Sequence, residues 1–390
     1  MQAFKKFKLA FIGALCISSA VTMAADIKIG IVAPLSGPFA YLGQQIKTSA
    51  EAYVASQGGK LGGRTVELIY RDTTGPNPTG TKSMVQELIV KDKVDYLGGF
   101  VMTPNAMAVA PLVQEAKIPT VIFVATASEI TKRSDYFIRT GHTTAQVGAP
   151  LAGQVYAQGI RKMVTAVVDY QPGVDAENAF KNEFIRLGGT VVEAIRMPLR
   201  TTDFTPFAQR IKASGAQGVF VFLAGGPPNL GFVKSYAENG LRASGIEFFG
   251  TVETDEYLLQ QFGDQAVGLT TANFYSEAHE SEVNRNFVAA VRKQEKGAIA
   301  NFASVGAWDG MYVISKMIEA TAGKKDGDKD IAAAKKLSWE SPRGPVKFDA
   351  ESRHITQNVY LRKVERAKDG LLINKEYKDL GPQVDTAYPK

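Results

Sequence analysis

The sequence predicts an α/β protein with two similar lobes, each a mainly parallel sheet flanked by helices. Short apolar strands alternate with amphipathic helices along most of the chain, and this alternation indicates parallel pairing with right-handed crossovers. This alternation of strands and helices occurs in two series, and the second series starts after residues 140–144. The length of 390 residues is enough for two domain cores.

The first series opens with an apolar strand at residues 27–32. A helix follows, in which Leu42, Ile46 and Ala50 share one face at three- and four-residue spacing. Paired glycines then lead into an alternating strand at residues 66–70. The rest of the series is predicted as a helix at 82–91, a strand at 95–99, a helix at 105–116 and a strand at 120–124.

The second series has the same rhythm without repeating the sequence. Strands are predicted at 164–168, 190–195, 218–223 and 247–250, with helices at 175–187, 204–213 and 229–239. The segment 282–322 has a helical pattern with few strands, so we expect it to return to the first lobe. Residues 346–349 and 358–364 predict a late β-hairpin. Lobe 1 is therefore predicted as 26–142 plus 276–350, and lobe 2 as 143–275 plus 351–390.

The first 25 residues have the order of a secretory signal peptide. Three lysines precede an apolar stretch at 9–21, and small residues follow, with cleavage expected after Ala24 or Ala25. Cys16, the only cysteine, lies in this segment, so the mature chain can form no disulfide. Leu15 precedes it where lipidation needs a small residue, which disfavours a lipid anchor. The sequence therefore predicts an exported, periplasmic protein.

Composition and motifs argue against several other classes. After the signal peptide, 42 basic and 39 acidic residues are dispersed without a polybasic tract, so nucleic acid is not expected as a partner. Residues 58–65 have P-loop spacing but follow a helix and open a strand, which favours a plain turn. The acidic run at 326–330 fits a helix start better than a calcium loop. The three histidines lack metal-ligand spacing, and neither a metal nor a cofactor is predicted.

Five segments together resemble the type I periplasmic binding protein family, in particular its leucine/isoleucine/valine-binding branch. The segments are IGIVAPLSGP at 29–38, GGF at 98–100, VATASEIT at 124–131, YFIRT at 136–140 and AWDGM at 307–311. The resemblance implies two lobes joined by three crossover segments, and a hinge that closes over one ligand. It also implies a membrane permease and an ATPase as partners. The crossovers are predicted near 141–145, 270–276 and 349–357.

Physical reasoning also predicts a ligand site between the lobes. In open α/β sheets, ligands lie beyond the carboxyl ends of the strands. The loops at 35–42 and 101–105 follow first-lobe strands and lead into helices, whose free N–H groups favour a carboxylate. Thr103, Asn105 and Thr126 would add side-chain donors. Helix capping is the alternative role for each of these three residues.

The resemblance assigns further residues to the site. Thr103, Ala125 and Thr126 fall on positions that hold the ligand carboxylate in the amino-acid binders. Glu253 is the nearest match to the glutamate that takes the ammonium group, with a register shift of one residue left open. A family tyrosine falls on the stretch 225–228, which has no tyrosine and includes Gly226. Its loss implies room for a wider ligand. Tyr41 and Tyr170 are aromatic candidates for lining the cleft.

The combined prediction is a transport receptor that binds a small carboxylate-bearing ligand, with an aromatic acid slightly favoured. A branched-chain or other amino acid held by Glu253 is the first alternative. An exported enzyme or sensor module on the same scaffold is the second, because fold does not determine function. No nucleophile motif supports catalysis, although a Ser-His-Asp triad stays open because its members meet only in the fold. The protein is expected to be a monomer.

Overall fold

The computed structural model describes residues 26–387, which form two sheets flanked by helices and confirm the predicted fold class. The signal-peptide prediction lies outside the described residues. The strands are β1 Ile27–Ala33, β2 Lys60–Leu61, β3 Arg64–Asp72, β4 Tyr96–Gly99, β5 Thr120–Ile122, β6 Phe137–Arg139, β7 Lys162–Val168, β8 Thr190–Met197, β9 Gly218–Phe222, β10 Glu247–Gly250, β11 Thr270–Asn273, β12 Ser338–Ser341, β13 Gly344–Phe348, β14 Ile355–Arg366 and β15 Leu372–Gln383.

Eleven α-helices lie within residues 26–387. They are α1 Ala40–Ser56, α2 Pro78–Val90, α3 Thr103–Ala116, α4 Thr144–Ala157, α5 Gln171–Arg186, α6 Thr205–Ala213, α7 Pro227–Glu238, α8 Leu259–Phe262, α9 Glu282–Gln294, α10 Phe302–Thr321 and α11 Gly327–Ala334. The acidic run starts α11 as predicted, because the Asp326 side chain accepts a hydrogen bond from the backbone N–H of Lys329. No helix in this part of the chain is long and apolar enough to cross a membrane.

The first sheet has the strand order β2-β3-β1-β4-β5-β6. All neighbouring strands are parallel except β2 and β3, which form a short hairpin at the glycine-rich turn predicted from the sequence. Helix α10 packs beside α1, and the Ser49 hydroxyl donates to the carbonyl of Ser304 at 2.7 Å. The helical segment after residue 282 therefore returns to the first lobe.

The second sheet has nine strands, in the order β12-β13-β14-β11-β10-β9-β7-β8, with β15 paired to β14. Strands β7 to β11 are parallel, and the C-terminal strands join them in antiparallel pairs. The predicted hairpin is confirmed as the β13–β14 pair. Strand β13 belongs to this sheet, but Val346 and Phe348 pack in the apolar core of the first lobe. The lobe boundary in this stretch stays a prediction.

A buried arginine joins the segments that run between the lobes. The Arg343 guanidinium pairs with Asp309 on α10, donates to the carbonyl of Thr140 at 2.9 Å, and donates to Gln357 on β14 at 2.7 Å. Its side chain is completely buried. Because a buried charge is tolerated only when it is paired and hydrogen-bonded, these contacts hold Arg343 in one place. The residues after β6 are thereby tied to both lobes.

Candidate functional site

The two lobes touch each other across the cleft. The ring of Tyr41 on α1 stacks on Tyr257 of the second lobe, with centroids 5.0 Å apart and planes 19° from parallel. The Asn301 amide at the start of α10 donates to Asp255 at 3.1 Å. A third contact joins the Ser128 backbone N–H to the Asp175 carboxylate at 3.2 Å. The structure therefore shows the lobes closed against each other.

A cavity of about 40 Å³ lies between the closed lobes. This volume exceeds the roughly 10–15 Å³ that one water molecule needs. Its walls follow the carboxyl ends of three adjacent strands in each sheet, namely β4, β5 and β6 in the first and β7, β9 and β10 in the second. The lining residues are Leu42, Val101, Met102, Val124, Thr126, His142, Tyr170, Phe222, Leu223, Ala224, Val252 and Phe302.

The lining is apolar apart from three side chains. Thr126 follows β5, His142 follows β6, and Tyr170 follows β7 at the start of α5. No Asp, Glu, Lys or Arg lines the cavity within residues 26–387. A mostly apolar wall with a few hydrogen-bonding groups is typical of sites for small organic ligands. In the same part of the chain, no group of three His, Cys, Asp or Glu could hold a metal ion.

Among the predicted carboxylate-binding residues, only Thr126 lines the cavity. Thr103 begins α3 and has a buried hydroxyl without a hydrogen-bond partner in the described chain. Asn105 uses both polar atoms elsewhere, since its amide donates to Gly75 and its oxygen accepts from the N–H of residue 77, at 2.9 and 2.8 Å. The Ala125 N–H donates to the carbonyl of Phe100 at 2.8 Å. These contacts give Asn105 and Ala125 structural roles in this geometry.

Glu253 is completely buried inside the second lobe. One carboxylate oxygen accepts the backbone N–H of Leu223 at 2.8 Å, and the other accepts that of Thr251. Burial nevertheless raises the pKa of Glu253 to about 7, because the two N–H donors offset only part of the desolvation cost. Val252, one residue earlier, is the side chain from this loop that lines the cavity. The site thus presents an isopropyl group where the prediction placed a carboxylate.

Tyr41 and Gly226 lie where the lobes meet, beside the cavity. Gly225 and Gly226 have positive φ angles of 89° and 71°. A Cβ on Gly225 would lie 2.7 Å from the Tyr41 hydroxyl oxygen. The first-lobe tyrosine therefore occupies the space beside the two glycines. Burial raises the pKa of Tyr41, so its hydroxyl stays protonated.

His142 lines the cavity although the sequence did not predict it as a site residue. Its ring lies 4.7 Å from that of Phe274 and is 2% exposed. Burial lowers the pKa of His142 to about 3, and the nearby cations Arg139 and Arg343 lower it further. The imidazole is therefore neutral at physiological pH. One signal could have identified it, because His142 lies in the predicted first crossover, directly after a first-lobe strand.

Two α/β lobes that close over a cavity at their strand ends define a bilobal binding protein. The profile of a periplasmic binding protein family matches residues 26–370. The chain belongs to this family, and the resemblance found in the sequence is confirmed.

Similar proteins include ones from the bacterial genera Brucella and Rhodopseudomonas. A Leu/Ile/Val-binding protein homolog 6 of Brucella melitensis is 48% identical over 383 residues, which cover 98% of each chain. An ABC transporter solute-binding protein of Rhodopseudomonas palustris, solved in complex with 4-hydroxybenzoate, is 50% identical with a TM-score of 0.90. The aligned region covers 93% of this chain and 99% of the R. palustris chain. A second R. palustris protein, in complex with benzoate, is 29% identical with a TM-score of 0.83. The aligned region covers 93% of this chain and 98% of that protein.

Proposed function

We propose that this protein is the solute-binding component of an ABC importer and that it binds an aromatic carboxylic acid in the closed cleft. The observation that carries the proposal is the cavity wall, which is apolar and aromatic and has no charged side chain within the described residues. The chemistry of such a wall, apolar with several aromatic rings, suits contact with a planar ring. The carboxylate fits the first-lobe side, where Thr126 and the start of α3 offer donors to an anion.

An amino acid is the second candidate, favoured by the name of the Brucella relative. An amino acid also brings an ammonium group, and a buried cation needs an anion beside it. In this structure, Glu253 is bonded to its own lobe and Val252 lines the cavity instead. The two R. palustris proteins, in complex with 4-hydroxybenzoate and benzoate, support the aromatic acid.

The cellular setting follows from the same proposal. The predicted signal peptide would carry the chain to the periplasm, and a permease with its ATPase would receive the ligand. Transport is favoured over catalysis because His142, the one candidate base on the wall, has no nucleophile hydrogen-bonded to it in the described chain. The three crossovers and the interlobe contacts also suit a receptor that opens and closes around its cargo.

Thermal unfolding with added ligand tests the proposal. We expect benzoate and 4-hydroxybenzoate to stabilise the mature protein, by about 2.7 kcal/mol at one hundred times the dissociation constant. Leucine and valine at the same concentrations should produce no shift, because the cavity offers their ammonium groups no anion. Calorimetric titration then gives the affinities. Stabilisation by leucine without stabilisation by benzoate would contradict the aromatic-acid proposal and support the amino-acid alternative.

A further inference from the structure

His142 lines the cavity from the segment that joins the two lobes. It follows β6, and Thr126 follows the adjacent parallel strand β5, so the two side chains approach the cavity from neighbouring strand ends. Gly141 packs directly against the backbone of Phe123, where a Cβ would lie 2.6 Å from its carbonyl oxygen. This close approach fixes the direction of the backbone just before His142.

The packing of the His142 ring leaves its polar atoms without a structural use. The ring contacts the apolar rings of Phe274 and Phe302, at centroid distances of 4.7 and 6.3 Å. Its Nδ1 atom is buried and has no hydrogen-bond partner in the described chain. Because leaving a buried polar group unpaired is unfavourable, a purely structural role would be better served by a phenyl ring. No hydrogen bond joins the other ring nitrogen, Nε2, to the described chain either, so a ligand in the cavity that the ring lines would supply a partner for the imidazole.

The charges around His142 favour a negatively charged partner. Arg139 on β6 and Arg343 are the cations that act on the imidazole. Arg343 is neutralised by Asp309, whereas the Nε and Nη1 atoms of Arg139 are buried without hydrogen bonds in the described residues. The carboxylates that act on Arg139 are Asp385 and Asp175, and neither lines the cavity. The cavity wall at His142 is therefore the side where an anion is best stabilised.

We infer that His142 is a ligand-binding residue that donates an imidazole N–H to the carboxylate of the aromatic acid, beside the Thr126 hydroxyl. This inference rests on the proposed function. It makes the first crossover part of the binding site. The same residue would then contact the ligand and belong to the segment about which the lobes close. It also orients the ligand, with its carboxylate on the first-lobe side and its ring towards the second lobe.

The test compares two variants against two ligands. His142→Phe keeps a ring against Phe274 but removes the N–H, and His142→Gln keeps a donor without the ring. Calorimetry should show His142→Phe weakening benzoate and 4-hydroxybenzoate by the same factor, about 10- to 100-fold, as expected for a lost charge-assisted hydrogen bond. His142→Gln should recover part of this loss. Thermal unfolding without ligand is the control for folding, and the unfolding temperature should not fall for His142→Phe.

The outcomes separate this inference from the proposed function. If the wild-type protein binds neither aromatic acid, the proposed function fails, and the inference fails with it. If the wild type binds both and His142→Phe binds them equally well, only the role of His142 is overturned. A loss confined to 4-hydroxybenzoate would place His142 at the ring hydroxyl and overturn the carboxylate contact. Titration in buffers of different ionisation enthalpy adds a check, since a neutral imidazole should take up no proton on binding.

Discussion

The two lobes present different chemistry to the same cavity. The first lobe, with the crossover after β6, brings the hydroxyl of Thr126 and the imidazole of His142. The second lobe brings Tyr170 as its one hydrogen-bonding side chain among the described lining residues, and its other lining residues are Phe222, Leu223, Ala224 and Val252. The parallel strands β3-β1-β4-β5-β6 and β8-β7-β9-β10-β11 follow the same order in the two sheets, so the difference lies in the side chains at the strand ends. Under the proposed function, the first face would take the polar end of the ligand and the second would take its ring.

Buried carboxylates of the second lobe reinforce the contrast. Glu253 accepts two backbone N–H groups, and Glu177 on α5 accepts from the Thr165 hydroxyl at 2.8 Å and pairs with Arg196. Both acids are thus bonded within the lobe that carries them. Under the proposed function, the carboxylate would bind the first lobe, and the second lobe would cover the ring and exclude water. The interlobe contacts of Tyr41 with Tyr257 would complete the closure.

The largest expected effect comes from placing a charge on the second-lobe wall. Val252→Asp would put a carboxylate on the cavity opposite the proposed site of the ligand carboxylate. Two like charges about 6 Å apart repel by about 3 kcal/mol at an effective dielectric constant of about 20. Affinity for benzoate should therefore fall about 100-fold, as measured by calorimetry.

Val252→Asn is the matched control, because it has nearly the same shape as the aspartate variant and carries no charge. Both variants lose the same apolar contact, so any difference between them comes from the charge. We therefore expect Val252→Asn to weaken benzoate binding much less than Val252→Asp. Equal losses in the two variants would show that charge is not the cause. Such a result would remove the electrostatic argument against an amino-acid ligand, and the contrast between the lobes would then be one of shape alone.

The fold could be predicted from the sequence because apolar periodicity and chain direction determine it. The predicted strand at 247–250 agrees with β10 residue for residue, and most other elements differ only at their ends. Strand β15 was not predicted, because its half-exposed sequence has few apolar residues and pairs only with β14. Its position depends on a partner strand that local sequence does not reveal.

The site was harder to predict because, after β5 and β10, adjacent residues face opposite ways. Val124 and Thr126 line the cavity, whereas the N–H of Ala125 between them is hydrogen-bonded to the backbone of the first lobe. Val252 lines the cavity, whereas Glu253 faces the interior of the second lobe. A shift of one residue therefore exchanges a ligand contact for a structural one. Residues of the loops predicted from topology line the cavity. Which side chains face it depends on φ and ψ angles that the sequence pattern does not specify.

Glu253→Gln sharpens the comparison by separating stability from binding. If Glu253 serves only its own lobe, the variant should change benzoate affinity by less than about threefold, a difference below 1 kcal/mol. The effect should appear in stability. Because burial raises the pKa of Glu253 from 4.5 to about 7, the folded state retains a proton that the unfolded state releases between these values.

The sign of the pH effect follows from this proton. The contribution of Glu253 to the free energy of unfolding is present at low pH and is lost as pH rises through 7, by about 2 kcal/mol between pH 5 and pH 8. Glu253→Gln lacks this titration. The difference between wild type and variant in the free energy of unfolding, measured with urea, should therefore change by that amount between pH 5 and pH 8. A constant difference, or a large loss of ligand affinity, would show that Glu253 has another role.

The smallest loss of affinity that we expect from a cavity-lining residue tests Tyr170, the one polar side chain of the second lobe among the described lining residues. Burial raises the pKa of Tyr170, and the Glu253 carboxylate raises it further, so the phenol stays protonated and can donate a hydrogen bond. With the ligand carboxylate on the first lobe, this phenol faces the ring end. Tyr170→Phe should weaken 4-hydroxybenzoate by about 1 kcal/mol, the usual value of one neutral hydrogen bond, and leave benzoate unchanged. His142→Phe, in contrast, should weaken both acids equally. Calorimetry with the two acids on the two variants gives four values, and an equal loss of benzoate and 4-hydroxybenzoate in Tyr170→Phe would reverse the proposed orientation of the ligand.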